Sequence, residues 1–597
     1  MCYRDKATLL GAVRHAHINT DHTYKTIRSN KEQLIVQCRA EGCNWRMRAA
    51  FMHDSGYWRI NVNREEHKCM VDQPLQDHKK LSARMIAQLV KPLVIDTPEI
   101  PIKTIIPLIN NEHNHIVGYK KVWRGKQIAI EEVYGSWATT YQALPMFMAA
   151  IMKINPGTIA EIDIVPHAKE RGTSVCNWIF WSLKAMTDGW QYARPVISID
   201  GTFLKGRYKG KLLIAMGVDS NNHTFPLCYG LVDEETYENW SWFLQRLRRH
   251  VCRQRTGVCI ISDRATSIIS ALRDPQNGFV EPLGIHRFCL LHVRSNFCSH
   301  HPGGELKKLM WKAGRTTQVS KHDAYMSRIG EISPTALQYL ATIPVERWTL
   351  SHDSGVRYGQ TTTNMLEGFN GNIRRARFLP VTAMMEYLFY KAVTIVDKYR
   401  NIVDDGLQKG QQLCARSAAM LAKIRRKATG HTVITFHHLR GIMKILTHQY
   451  TTAKGTVKGG KTQVVNLNDR TCTCGKWATH HMLCSHAMAG CITHGLSWEH
   501  LIKNFHKNQT MQDLYRPIIY SLEPTQYWNY DLPVPWQGYG KLVPEESLKK
   551  LKKKRGDKGQ SVRIRTEIDG PRSGKKCSVC NQEGHTKYSK KCPWRPH

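Results

Sequence analysis

Long apolar runs are missing from this 597-residue chain. None reaches the roughly 18 residues that a membrane-spanning helix needs, so no helical span is expected. The N-terminus, MCYRDKATLLGAVRHAH, carries charges where a signal peptide would place its apolar stretch, which argues against secretion and for a soluble intracellular protein. No internal repeat is found. Acidic residues are scarce: 48 Asp and Glu stand against 86 Lys and Arg, a net charge of +38. Such an excess repels itself unless it meets a polyanion. Nucleic acid is the first candidate, because each neutralised phosphate releases counterions; a ribosome or a membrane surface would satisfy the same charge.

What is present supports folded domains. Hydrophobic residues make up 42% of the chain, enough for true cores. At about 100–200 residues per domain the length predicts three to five of them. Of the 18 cysteines, nine fall into three groups that each include one His. Outside a secretory setting, that pattern reads as structural zinc rather than disulfides. The groups are Cys38, Cys43, His67 and Cys69; Cys472, Cys474, Cys484 and His486; and Cys577, Cys580, His585 and Cys592.

The periodicity changes along the chain. Residues 1–72 are dense in Cys, His and Trp, with strand-like CNWRMRAAFM and GYWRINVNR between the first ligands. Residues 79–185 are expected to be a helical DNA-binding or linker region, because apolar residues recur at three- and four-residue intervals, with Pro92, Pro98, Pro101 and Pro107 breaking the stretch. From about 190 the pattern turns to strands: PVISIDGTFL, KLLIAMGVDS and FPLCYGLVDE. Then follow the helix NWSWFLQRLRRHV, the strand VCIISD, the helix ATSIISALRD and the strand HRFCLLHV. This order is the opening of an RNase H-like α/β core spanning residues 190–430, with a mostly helical insertion at about 294–365. Small zinc modules flank it: a Cys/His module at 455–500, and a basic tail at 541–597 ending in the third cluster. Residues 523–540, rich in Pro, Trp and Tyr, read as a linker or a wrapping segment.

Three carboxylates stand out. Asp200 ends the apolar strand VISID, Asp263 ends VCIISD, and Glu367 sits in the predicted helix NMLEGFNGNIRRAR. A carboxylate at the end of a buried strand is costly unless it meets a cation or hydrogen-bond donors. An all-oxygen set of this kind suits Mg²⁺ or Mn²⁺, and two such ions can drive an in-line phosphoryl displacement. Singly, Asp200 is also an ordinary Asp-Gly turn, Asp263 a helix N-cap and Glu367 a surface helix residue. Their joint placement in one α/β pattern carries the case.

The stretch RPVISIDGTFLKGRYKGKLLIAMGVDSNNHTFPLCYGLVDEETYENWSWFLQRL, with ISDR and TNMLEGFN after it, resembles the Mutator-like transposase domain. Roughly residues 30–510 are covered by the likeness. The resemblance implies a DDE-type DNA transposase, an enzyme that binds terminal inverted repeats and cleaves and transfers strands, with Asp200, Asp263 and Glu367 as its metal-binding acids. It implies double-stranded DNA as partner, a homo-oligomer to pair two ends, the nucleus as location and a plant source. Cys289 and His292 match the family's C-x-x-H pair, in support of the active site; by itself a Cys in an apolar strand is more often plain core. Trp348 is a candidate for stacking on an unpaired base, with a core Trp as the plainer alternative. Arg374, Arg375 and Arg377 follow Glu367 and are placed to hold phosphate, or to form an exposed basic face.

The first zinc group resembles the WRKY-like fingers of this family, which set a β-strand in a DNA groove; Arg46, Arg48, Arg59 and Arg64 are its candidate contacts. The second resembles a SWIM finger, to bind DNA or brace the core. The third resembles a CCHC knuckle, but its gap before Cys592 is longer than usual, which puts that ligand in question. Lys549–Arg555 reads as a nuclear localisation signal, a DNA-contacting tail or a solvated charge run. A domesticated, transposase-derived DNA-binding regulator without catalysis is the rival reading. An RNase H-like nuclease acting on RNA hybrids fits the core but explains neither finger.

Overall fold

The computed structural model describes residues 1–544 except 21, 65, 70–79, 114–116, 169, 454, 456, 529, 534, 535 and 538. The third Cys/His cluster and Lys549–Arg555 lie outside the described residues.

The chain opens with β1 (Cys2–Tyr3), α1 (Lys6–Asn19), β2 (Tyr24–Ser29), β3 (Gln33–Cys38), β4 (Arg46–Met52) and β5 (Tyr57–Arg64). The strands form an antiparallel sheet in the order β1-β5-β4-β3-β2. Alternation in β4 explains its two faces: Met47 and Ala49 turn inward to Leu9 and Val13 of α1 and to Trp45 and Trp58, while Arg46 and Arg48 stay exposed.

Four helices follow: α2 (Ala83–Asp96), α3 (Ile102–His113), α4 (Tyr119–Tyr134) and α5 (Thr139–Ile154). Ile86, Val90, Ile105, Val122 and Ile130 make a core of their own. Pro92 and Pro107 lie inside α2 and α3, so only Pro98 and Pro101 fall at the break between them. The helical expectation for 79–185 fails after residue 154. Residues 159–182 are two strands, β6 (Ile159–Pro166) and β7 (Thr173–Ser182), paired antiparallel, with α6 (Lys184–Trp190) after them. Their runs of Ile, Val, Phe and Trp favour a pleated, buried surface over a helix.

The central sheet adds β8 (Val196–Phe203), β9 (Lys211–Val218), β10 (Thr224–Val232), α7 (Tyr237–Arg246), β11 (Val258–Ser262), α8 (Thr266–Arg273) and β12 (Gly284–Phe288). β8, β9 and β10 form an antiparallel meander, and β11 and then β12 add in parallel on the β8 side. On the far side β10 pairs with β7, which also takes a strand from much later in the chain, Lys541–Pro544. That last strand replaces the start of the tail expected from 541 onward. β12 ends at Phe288, so Cys289 and His292 are not in a strand: Cys289 caps α9 (Leu290–His300).

The insertion is helical as expected, with α9, α10 (Gly304–Arg315), α11 (Val319–Ile332) and α12 (Pro334–Ala341) around Phe297, Leu309, Met310 and Leu340. The return path is held by a buried ionic cluster. Asp353 accepts from Arg287 at 2.9 Å and from Arg357 at 3.1 Å, and Arg357 donates to the Phe288 carbonyl at 3.0 Å. It delivers the chain to α13 (Asn364–Asn372), then α14 (Val381–Gln408) and α15 (Ala415–Ala428).

The second Cys/His module is larger than 455–500. Its strands β13 (Thr432–His437), β14 (Ile442–Leu446), β15 (Tyr450–Thr451), β16 (Val457–Lys458), β17 (Thr462–Asn466) and β18 (Thr471–Cys472) precede α16 (Lys476–His480) and α17 (Ser485–Thr493). A helix α18 (Asn508–Tyr515) and the closing strand β19 (Lys541–Pro544) complete the described chain. No helix among the described residues is long and apolar enough to cross a membrane.

The module is wedged against the insertion. Thr317 donates to the Cys474 carbonyl at 2.8 Å, His481 bonds the Gly355 carbonyl at 2.9 Å, and the His481 ring stacks on Tyr358 with centroids 4.0 Å apart. Gly355 has φ +83°, and a Cβ there would lie 2.2 Å from the Ala478 carbonyl oxygen. Gly355→Ala therefore combines left-handed strain with a backbone clash. It is expected to cost about 2 kcal/mol or more, read as a lowered denaturant midpoint.

Candidate active site and metal centres

The parallel register of β11 on β8 decides the geometry. Ile261 lies opposite Ser198, so one step beyond β11 Asp263 comes level with Asp200, two residues further along β8. The two acids feel each other: burial, then the charge of Asp263, pushes the Asp200 carboxyl up to about 7, against the Gly201 amide and with Glu235 adding to the rise. Asp263 also accepts from the Ala265 amide at 3.0 Å, but the N-cap of α8 is Ala265, so Asp263 stands two residues before the cap position and is not the helix N-cap that its sequence also allowed.

Glu367 arrives on α13. Its carboxylate lies 3.9 Å from His292 Nε2, and ligand atoms of Cys289, His292 and Glu367 fall within 4.8 Å of one another. A hydrogen bond with the Cys289 thiol, with the charges of Asp263 and Glu367, lifts His292 up to about 9. Cys289 is fully buried and accepts from both the Thr363 amide and its hydroxyl at 3.2 Å. The Cys289 amide donates to the Ser262 carbonyl at 2.7 Å. One cysteine thus ties the end of β11 to the residue that starts α13, which explains its spacing to His292 better than a zinc role would.

Sequence reasoning passed over three residues here. Asn370 donates to Asp200 at 3.0 Å, while its own Oδ1 is buried without a partner. Thr363 seats the thiol. Glu235 pairs with Lys211 at 2.6 Å and presses on Gly201, where a Cβ would sit 2.6 Å from its carboxylate oxygen. Asn370 had a legible signal, since it lies three residues after Glu367 on one helix face. Glu235 had none, because only the β8-β9-β10 meander, with Lys211 of β9 between them, brings it near Gly201.

Both described Cys/His groups assemble. Cys38, Cys43, His67 and Cys69 form one cluster and Cys472, Cys474, Cys484 and His486 another, each with ligand atoms within 4.8 Å. In the first, His67 presents Nδ1 to Cys43 at 3.6 Å and to Cys69 at 3.7 Å. Its ring stacks on Trp45 at 4.7 Å, and burial, then His22 and His17, brings its pKa down to about 4. A neutral imidazole among thiols is the form a zinc ion takes. The thiols are driven apart: despite burial, amide hydrogen bonds draw Cys43 down to about 7, whereas burial and its thiol neighbours push Cys69 up to about 12. In the second, His486 Nδ1 lies 3.6 Å from Cys472 and 3.7 Å from Cys484. Both sets can hold zinc.

The basic candidates divide. Arg46, Arg48 and Arg59 are exposed on one face of the first sheet, and the bulge between β4 and β5 keeps Arg64 in register opposite Arg46. Lys25 and Arg28, not singled out above, pair with Gln37 and Ile35 and so join that face. Arg375 is otherwise engaged, donating to the Ile95 carbonyl at 2.8 Å and to Tyr134 Oη at 2.9 Å; Arg377 donates to the Phe203 carbonyl at 2.9 Å. They fasten α2 and α4 to the edge of β8. Helix α13 ends before all three arginines, and only Arg374 stays exposed. Trp348 is 1% exposed inside the insertion core with Phe297 and Leu340. It packs there, so it is not placed to stack on a base.

Comparison with known proteins matches residues 196–296 to the MULE transposase domain and residues 1–64 to the MuDR family transposase. The first segment holds Asp200, Asp263, Cys289 and His292; Glu367 lies beyond it. The chain is also similar to the Arabidopsis thaliana protein FAR-RED IMPAIRED RESPONSE 1, with 26% identity over 175 residues. That match spans 29% of this chain and 19% of the relative's length.

Zinc analysis by mass spectrometry tests the two clusters. Cys69→Ala and Cys484→Ala should each lower the zinc content by about one ion per chain. Each should also melt its own module, because most of the folding free energy of so small a unit comes from the metal.

Proposed function

We propose that this chain, of the MULE/MuDR transposase type by its two matched segments, is a DNA transposase whose Asp200, Asp263 and Glu367 cleave and transfer strands. The observation that carries the reading is the placement of Asp200 level with Asp263 on two neighbouring parallel strands, with Glu367 brought by a helix to His292, which feels the charges of both Asp263 and Glu367. The meander extended by two parallel strands supports an RNase H-like core. The donor set fits a Mg²⁺ or Mn²⁺ pair: Asp200 feels the charges of Asp263 and Glu235, and Asn370 leaves one more buried oxygen without a donor. Bound there, such a pair supplies an activated water or 3′-hydroxyl and charge relief for the leaving oxygen.

The chain's own residues prepare that chemistry. Asp200 and Asp263 hold their charges side by side on rigid strands, so the site is under repulsion until a cation enters. Asn370 fixes one oxygen of Asp200 and leaves the rest of the carboxylate free. His292, kept protonated by Cys289 and the acids around it, sits beside Glu367 and attracts its carboxylate. The face on which Arg46, Arg48 and Arg59 are exposed is proposed to engage the terminal inverted repeats, with Arg64 in register opposite Arg46, and the Cys/His modules to stiffen both ends of this frame. Pairing of two DNA ends calls for a homo-oligomer, and the substrate places the protein in the nucleus.

A second reading, a DNA-binding regulator without catalysis, is favoured by one observation: the curated relative is named for a far-red response, not for transposition. Strand cleavage separates the two. Labelled duplex carrying an inverted-repeat end, with Mg²⁺ or Mn²⁺, should be nicked by the native chain. Asp263→Asn should lose at least about a thousandfold, several kcal/mol of transition-state stabilisation. Tight binding of the end with no nicking by either protein would replace the enzyme with the regulator.

The raised pKa of Asp200 predicts a pH dependence of stability. Its folded pKa of about 7 lies above the ordinary carboxylate value of 3.8, so the native state binds the proton more tightly than the unfolded chain. The metal-free protein should lose stability as pH rises from about 4 to 7, by up to about 4 kcal/mol from this group. Asp200→Asn should be more stable than wild type at pH 8 without metal, and Mn²⁺ should raise the melting temperature of wild type only. Equal melting curves at pH 5 and pH 8 in metal-free buffer would contradict this.

A further inference from the structure

A cleft runs between α15 and the second Cys/His module, with a volume of about 270 Å³. Its rim carries three lysines. Lys423 and Lys427 are four residues apart on α15 and so share a face, and Lys476 is the first residue of α16. Gly475, left-handed at φ +70°, turns the chain immediately after Cys474 and so sets Lys476 at this rim. All three ammonium groups are exposed, and none makes an ion pair with a carboxylate among the described residues. The floor is apolar, built from Met420, Ile424, Met482 and Leu483, with Cys484 and Ser485 beside them.

Like charges held together without a counter-ion raise the free energy of the empty cleft. Lys427 registers this: burial, then Lys476, Lys423 and Arg426, lowers its pKa. A small inorganic anion would answer the rim and leave the floor unused. A nucleic-acid strand answers both, with its phosphate toward the lysines and the carbon face of its deoxyribose on Met420 and Ile424.

We propose that this cleft between α15 and the second Cys/His module is a phosphate-backbone subsite for DNA, separate from both the acidic site and the N-terminal sheet. It rests on the DNA-binding reading above but not on catalysis. The module would then do two things at once: brace the insertion on one side and grip the strand on the other.

The test is the salt dependence of duplex binding by the full-length protein, read by fluorescence anisotropy. Each lysine–phosphate contact contributes about 0.9 to the log–log slope. The triple variant Lys423→Gln, Lys427→Gln, Lys476→Gln should lower the slope by about three and weaken binding about tenfold or more at fixed salt. Lys153→Gln, on α5, should leave both unchanged. Zinc content is measured alongside. If the triple variant loses zinc, Lys427→Gln alone serves, with an expected slope change of about one. A wild-type slope in the zinc-loaded variant overturns the proposal. Calorimetry with inorganic phosphate and pyrophosphate separates the sources: binding that the variant loses while duplex binding is unaltered makes this a free-phosphate site and overturns the DNA assignment. If wild type binds no duplex at all, the broader DNA reading has failed before this one is reached.

Discussion

Two carboxylates side by side on neighbouring parallel strands are the constraint around which the rest of this molecule is arranged. Asp200 and Asp263 cannot both be charged cheaply in a partly buried position, as the elevated pKa of Asp200 records. Such repulsion survives only where rigid elements hold it. Here the rigidity comes from β8, buried between β9 and β11, and from the apolar runs on either side of it. The same strain that destabilises the metal-free state is what the proposed divalent cation would relieve, which would link stability and proposed activity through one site.

The third acid is held less directly. Glu367 is exposed, on a short helix, and its place depends on a relay. Cys289 joins the end of β11 to Thr363, and the buried Arg357–Asp353–Arg287 cluster guides the chain out of the insertion. The second Cys/His module presses on that same return path through Gly355 and Tyr358. Its position answers a question the ligand spacing left open. Whatever else it touches, the module braces the segment leading to Glu367. A Cys/His cluster that can hold zinc is thereby coupled to a catalytic candidate through ordinary packing and a few hydrogen bonds, with no residue in common.

Legibility in the sequence followed the range of the interaction. Zinc ligands are close in sequence and chemically distinctive, so both described clusters could be read from spacing. Asp200 and Asp263 were legible because a carboxylate at the end of an apolar strand is anomalous by itself. The misreadings came where two local patterns compete. Residues 159–182 carry apolar spacing compatible with either period, and their pairing in the central sheet settles it. HRFCLLHV reads as one strand, but it is a strand end followed by a helix start. Trp348, Arg375 and Arg377 had the right residue types for contacting DNA, and burial or backbone partners claim them instead.

The sequence by itself determined the chemistry available: an excess of cations, two described sets of thiol and imidazole ligands, and three acids in strand or helix contexts. These depend on residue type and near-neighbour spacing, which the chain carries whatever its fold. Tertiary structure alone decided which groups meet. The step of β11 along β8 brings Asp263 level with Asp200, the turn of β10 sets Glu235 against Gly201, and the closing strand Lys541–Pro544 returns across the whole chain to β7. Partners that far apart are chosen by register and by shared burial, and neither quantity exists until the sheet has formed.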